Sequence, residues 1–138
     1  MAQLWKSQAT LRLIGDALDP CEVTELLGYP PSGHKTKGET LIAKRSGRQR
    51  IARTGSWHLT STMHAPSNLD GQVMQILGPL NDDMAVWEGL ADCYKVDLFV
   101  SLFLQSGNEG CAVSPSTLRM LGERGIELSL DIYGSDDE

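Results

Sequence analysis

Seven cations crowd one short stretch: Lys35, Lys37, Lys44, Arg45, Arg48, Arg50 and Arg53, opposed there only by Glu39. Such a cluster can hold phosphate or carboxylate groups, arginine through paired N–H bonds and lysine as a point charge. Lys37, Lys44, Arg45, Arg48, Arg50 and Arg53 are therefore the candidate ligand- or partner-binding residues. The competing reading is a solvated edge hairpin whose cations only discourage edge-to-edge strand pairing. Sequence alone leaves both open. The stretch contains no aromatic residue on which a base could stack, which disfavours nucleic acid as the partner.

Other chemistry-bearing residues point less far. His34, His58 and His64 are the only histidines, and no H-E-x-x-H or similar ligand spacing joins them, so no metal is expected. Cys21, Cys93 and Cys111 form an odd set without C-x-x-C spacing and read as structural thiols. Cys21, in a first helical turn, is the most activated of them, but Glu22 beside it opposes a thiolate. Asp16, Asp19 and Asp131 could approach across a sheet as paired carboxylates, although Asp19 is already explained as a helix cap. Neither G-x-G-x-x-G nor G-x-x-x-x-G-K-[ST] occurs. No catalytic residue and no cofactor is assigned.

The elements that must carry these residues are readable in outline. Thr10–Ile14 is a short apolar run and reads as a first strand. Asp19 caps, and Pro20 opens, a helix with Val23, Leu26 and Leu27 on one face and Gly28 as its stop. Residues 29–33 read as a loop. Glu39–Arg45 is a strand, Ser46-Gly47 a turn, and a second strand runs to about Thr60. In that strand Trp57 and Leu59 alternate with Ser56, His58 and Thr60, which turns His58 away from the core.

Ser67–Asp70 opens a helix carrying Val73, Ile76 and Leu77, broken by Gly78-Pro79. A second helix over 82–94 sets Val86, Leu90 and Cys93 on one side with Trp87 adjoining. Val96–Gln105 is almost continuously apolar and reads as a strand buried on both faces. Cys111–Val113 offers a short pairing strand. Ser114-Pro115 then starts a helix with Leu118 and Leu121 inward, and Ile126–Tyr133 is the last strand, with Leu128, Leu130 and Ile132 on one face. The two proline-started helices share a spacing that suggests two similar strand–helix units on one sheet.

Read in order, these motifs resemble a known family. Thr10-Leu11-Arg12 with Gly15-Asp16, Leu18-Asp19-Pro20, Leu26-Leu27-Gly28 and Lys37-Gly38-Glu39 carry the first half. Arg53-Thr54-Gly55-Ser56-Trp57-His58-Leu59, Val96-Asp97-Leu98, Ser114-Pro115 and Asp131-Ile132-Tyr133 carry the second. Together they resemble the bacterial domain of unknown function family 4279, over about Thr10 to Gly134. The resemblance implies a bacterial source but brings no reaction, cofactor or site residue.

Composition bounds the rest. The chain has 138 residues, 41% of them hydrophobic and 22% charged, which suits one soluble globular domain and excludes a disordered or collagen-like chain. No signal peptide or membrane span is visible, and the expectation is a cytoplasmic protein. The net charge of -6 is uneven: the basic stretch is +6, leaving five cations against seventeen carboxylates elsewhere, or -12. We expect a single α+β domain over residues 1–134, mostly antiparallel with helices mainly on one face, and an acidic tail over 135–138. The leading functional expectation is a non-enzymatic binding or interaction module for a protein or small anionic ligand. Alternatives are a small enzyme acting on an anionic metabolite and an immunity-like, toxin-neutralising protein. Composition leaves the oligomeric state open.

Overall fold

A computed structural model describes residues 2–135 of the chain. The expected tail at 135–138 lies, apart from Ser135, outside the described residues. The first long strand, β2 (Lys6–Gly15), follows a two-residue strand β1 (Ala2–Gln3) and alternates strictly: Ser7, Ala9, Leu11 and Leu13 are buried, while Lys6, Gln8, Thr10 and Arg12 are half-buried. That period of two gives the sheet one core face and one open face.

Helix α1 (Pro20–Leu27) begins as its sequence dictates. The Asp19 carboxylate accepts the Cys21 amide at 3.0 Å, Pro20 fills the first turn, and Gly28 ends the helix at φ 73°. The chain then forms β3 (Gly33–Lys35), β4 (Thr40–Ile42), β5 (Gln49–Ile51) and β6 (Gly55–Thr60). Helices α2 (Leu69–Leu77) and α3 (Met84–Cys93) precede β7 (Lys95–Phe103). A short strand β8 (Glu109–Gly110), helix α4 (Pro115–Glu123) and β9 (Glu127–Tyr133) complete the order.

The main sheet runs β3-β6-β2-β7-β9, antiparallel throughout except for the parallel β7–β9 pair. It is therefore a mostly antiparallel sheet in a single α+β fold. Two crossovers explain the similar helix starts: β2–α1–β3 returns with β6 inserted between its strands, and β7–α4–β9 returns to a neighbouring strand. Val23, Leu27, Val73, Ile76, Trp87, Leu90 and Leu121 from the helices pack in one core with Leu11, Leu13, Trp57, Leu59, Leu98 and Val100 from the sheet. The described helices thus cover one face and leave the other available.

Several expectations need correction. The strand expected to run from the 46–47 turn to Thr60 is two strands in different sheets: β5 pairs with β4, β6 with β2. A Cβ at Gly55 would meet the carbonyl oxygens of Gly15 and Leu18 at 2.8 Å, so β6 can begin beneath the β2–α1 turn only with glycine there. Part of the expected loop at 29–33 contributes to β3, whose edge pairing contains no strong apolar alternation to announce it.

Strand β7 is buried on one face, and on the other Phe99, Ser101 and Phe103 are half-buried, with the described helices packed on the opposite side of the sheet. Its buried member on the other face is Asp97, 1% exposed. Cys93 is exposed, and Trp87 and Leu90 form the inward face of α3 instead. On α4 the buried pair is Thr117 and Leu121, with Leu118 51% exposed, and on edge strand β9 Leu130 and Ile132 are exposed. Residues 111–113 form no strand; the short pairing is β8 with β1, just before them.

Candidate functional site

The open face of the sheet is built from the half-buried residues of β2, β6 and β3. Register places Arg12 opposite His58, and His58 opposite Gly33; the next row joins Ile14, Ser56 and Lys35. Residues paired in this way project to the same side, so Arg12, His58 and Lys35 share one face.

Over this face folds the basic hairpin. Its strands β4 and β5 pair Leu41 with Arg50, and the turn is closed by Ala43 N–H to the Arg48 carbonyl at 2.9 Å. At its base Gly38 donates to Ala52 at 2.9 Å and Ala52 to Glu39 at 2.8 Å. The Glu39 carboxylate accepts the Thr36 amide at 2.9 Å, so the single acid of the segment serves its turn.

Between sheet and hairpin lies a cleft of about 620 Å³. The sheet supplies Arg12, Ile14, Lys35, Ser56, Trp57 and His58; the hairpin and its return supply Leu41, Arg50, Ile51, Ala52, Arg53 and Thr54. Four cations line it and no carboxylate does. A second depression of about 530 Å³ shares Lys35, Leu41 and Arg50 with the first and adds Arg48 and Ser46. The volumes are those of small-molecule sites.

Arg12 anchors the cleft from beneath. Its Nε and Nη2 donate to the two Asp97 oxygens at 2.8 and 2.6 Å, and Ser129 Oγ donates to Asp97 at 3.1 Å. The Phe99 ring lies 4.4 Å below the guanidinium. The Asp97 hydrogen bond raises the Arg12 pKa further above its ordinary value, against the opposing effect of burial. The fork spends two of five guanidinium N–H groups, leaving three.

His58 is held at the edge of this arrangement. A Cβ at Gly33 would lie 2.8 Å from its Nε2, so the imidazole uses the space a glycine leaves. Desolvation lowers its pKa first, and the charges of Lys35 and His34 lower it further. Both effects favour the neutral imidazole.

Of the residues expected to bind, Arg50 and Arg53 line the main cleft and Arg48 its extension. Lys37 is exposed and bonds Asp16 at 3.2 Å, a contact that, with Thr54, lowers the Asp16 pKa. Lys44 and Arg45 sit exposed in the hairpin turn, outside the cleft lining. Sequence reasoning passed over Arg12 and His58 as site residues and counted Lys35 only as charge. The alternation in 56–60 held the signal for His58: whatever lies opposite Trp57 and Leu59 faces the open side.

Asp16 and Asp131 stand toward opposite ends of the sheet: β2 ends at Gly15, whereas Asp131 is level with Ser101 and Gln8. Among the described residues no three of His, Cys, Asp and Glu are grouped to hold a metal ion. No described helix is long and apolar enough to cross a membrane. What the arrangement can do chemically is bind negative charge: of the carboxylates beside it, Asp97 is engaged by Arg12 and Ser129, Asp16 by Lys37 and Thr54, and Glu39 by the Thr36 amide.

A family model described as a domain of unknown function (DUF4279) matches residues 4–135, nearly the whole chain. No curated protein and no solved structure matches it.

Proposed function

The chain belongs to the DUF4279 family, whose description assigns no activity, and from the cleft itself we propose that the domain binds a small, multiply charged anion between its sheet and its basic hairpin. One observation carries this reading: Arg12, Lys35, Arg50 and Arg53 line a concave site that no carboxylate lines. Gathering like charges costs energy that an anion would recover. A convex hairpin, by contrast, would have suited a broad acidic partner. The binding reading extends the expectation of a non-enzymatic module, with a small ligand favoured over a protein surface.

Calorimetric titration with inorganic phosphate and pyrophosphate tests it. Pyrophosphate should bind the wild type, and Arg50→Gln with Arg53→Gln should weaken that binding at least tenfold. Both side chains are exposed, so the melting temperature should hold. Undiminished binding by the double variant, or no binding of either anion to the wild type, would overturn the proposal.

A further inference from the structure

The cleft is only half described by its charge. Ile14, Leu41, Ile51, Ala52 and Trp57 contribute to its lining beside the cations. Each wall sets an apolar residue next to a cationic one: Ile14 lies two residues along β2 from Arg12 on the same face, paired with Ser56 of β6, and Leu41 is paired with Arg50 on the hairpin. Ile51 is 67% exposed and Leu41 half-buried, although the hydrophobic core contains neither. An apolar side chain that contributes little to the core and lines a concave site is available to a ligand.

Charge bounds the ligand from the other side. Arg12 is neutralised by Asp97, which leaves Lys35, Arg50 and Arg53 without a carboxylate in the lining. A bare inorganic oxyanion would satisfy some of these cations and leave the apolar surfaces in water. Resting on the anion-binding reading above, we propose that the ligand is an amphipathic organic anion: a phosphate- or carboxylate-bearing head held by Lys35, Arg50 and Arg53, with an apolar or aromatic body against Leu41 and Ile51. Leu41 and Ile51 are then specificity-determining residues, selecting for the body rather than for the charge.

The test compares two probes with the same head group, inorganic phosphate and 1-naphthyl phosphate, with 1-naphthol as an uncharged control. The naphthyl ester should bind at least tenfold more tightly than phosphate. Tenfold is about 1.4 kcal/mol, which burial of about 60 Å² of apolar surface supplies. Leu41→Asn and Ile51→Asn should erase that advantage while leaving phosphate affinity and the melting temperature unchanged. Equal affinity for the two phosphates, or equal weakening of both by the hairpin variants, overturns the ligand class but keeps an anion site. If naphthol binds as well as its phosphate, or neither phosphate binds, the anion reading falls with it.

Discussion

His58 is the residue whose surroundings make the clearest demand. Facing it are Arg12 from β2, Lys35 from β3, and Asp97 one strand beyond Arg12, with Arg50 and Arg53 across the cleft, while His34, paired with Trp57, projects from the other side of β3 and acts through its charge alone. Burial and the Lys35 and His34 charges depress its pKa below the ordinary histidine value. The sign of the effect on stability follows from linkage. Below pH ~6.5 an unfolded histidine takes up a proton that the folded one resists, so stability contributed by His58 is lost on acidification. A bound anion reverses the preference, because it favours the imidazolium. Two opposite trends are therefore expected between pH 7.5 and 5.5: the melting temperature of the free protein falls, while the stabilisation given by a saturating sulfate, whose charge is constant over this range, grows. His58→Gln should flatten both trends. A sulfate effect that is the same at the two pH values would remove His58 from the site.

At the scale of elements, the Arg12 fork joins three strands. β2 supplies Arg12, β7 supplies Asp97 and β9 supplies Ser129, which makes this the polar seam of the open face. Arg12→Gln leaves a carboxylate that is 1% exposed, with the Ser129 hydroxyl still donating to the oxygen that Arg12 Nη2 had shared and the other oxygen deprived of its Arg12 Nε bond. Losing one partner of a buried pair is strongly destabilising. With the Arg12 side chain still one-third exposed, urea unfolding should show a loss of about 3 kcal/mol, against under ~0.5 kcal/mol for Arg50→Gln. Equal losses would show that the seam contributes no more than a surface cation.

The same scale shows what was legible in the residues. Helix starts were, because a cap and a first-turn proline act locally: Asp19-Pro20 and Ser114-Pro115 begin their helices where their chemistry requires. Trp57 was also legible from alternation, and it is fully buried with its Nε1 donating to Thr24 of α1 at 3.0 Å. The break between β5 and β6 was not, because it depends on Gly55 meeting the carbonyls of Gly15 and Leu18, about forty residues upstream in the chain, a tertiary constraint. The site followed the same rule. Arg48, Arg50 and Arg53 advertise themselves as a local run, whereas Arg12 enters only through a strand register that no local pattern displays.

For the whole molecule, the uneven charge becomes a statement about ligand size. Within the +6 stretch the hairpin folds over the sheet so that Arg50 and Arg53 face the cleft with Arg12 and the stretch's own Lys35, while the remainder of the chain carries -12. A small anion seated in the cleft meets the inward cations at close range. A long polyanion would also lie along the acidic body and be repelled there. Salt separates the two contributions, since the Debye length falls from about 10 Å at 0.1 M to about 3 Å at 1 M. Pyrophosphate affinity should therefore fall severalfold between 0.05 and 0.5 M sodium chloride, followed by calorimetry. A long linear polyphosphate should gain little per unit over pyrophosphate, because each added unit leaves the cleft for the acidic surface. Affinity that instead climbed steadily with polyphosphate length would mean that the hairpin's outward cations, Lys44 and Arg45 among them, form the working surface, and that the cleft is only its inner edge.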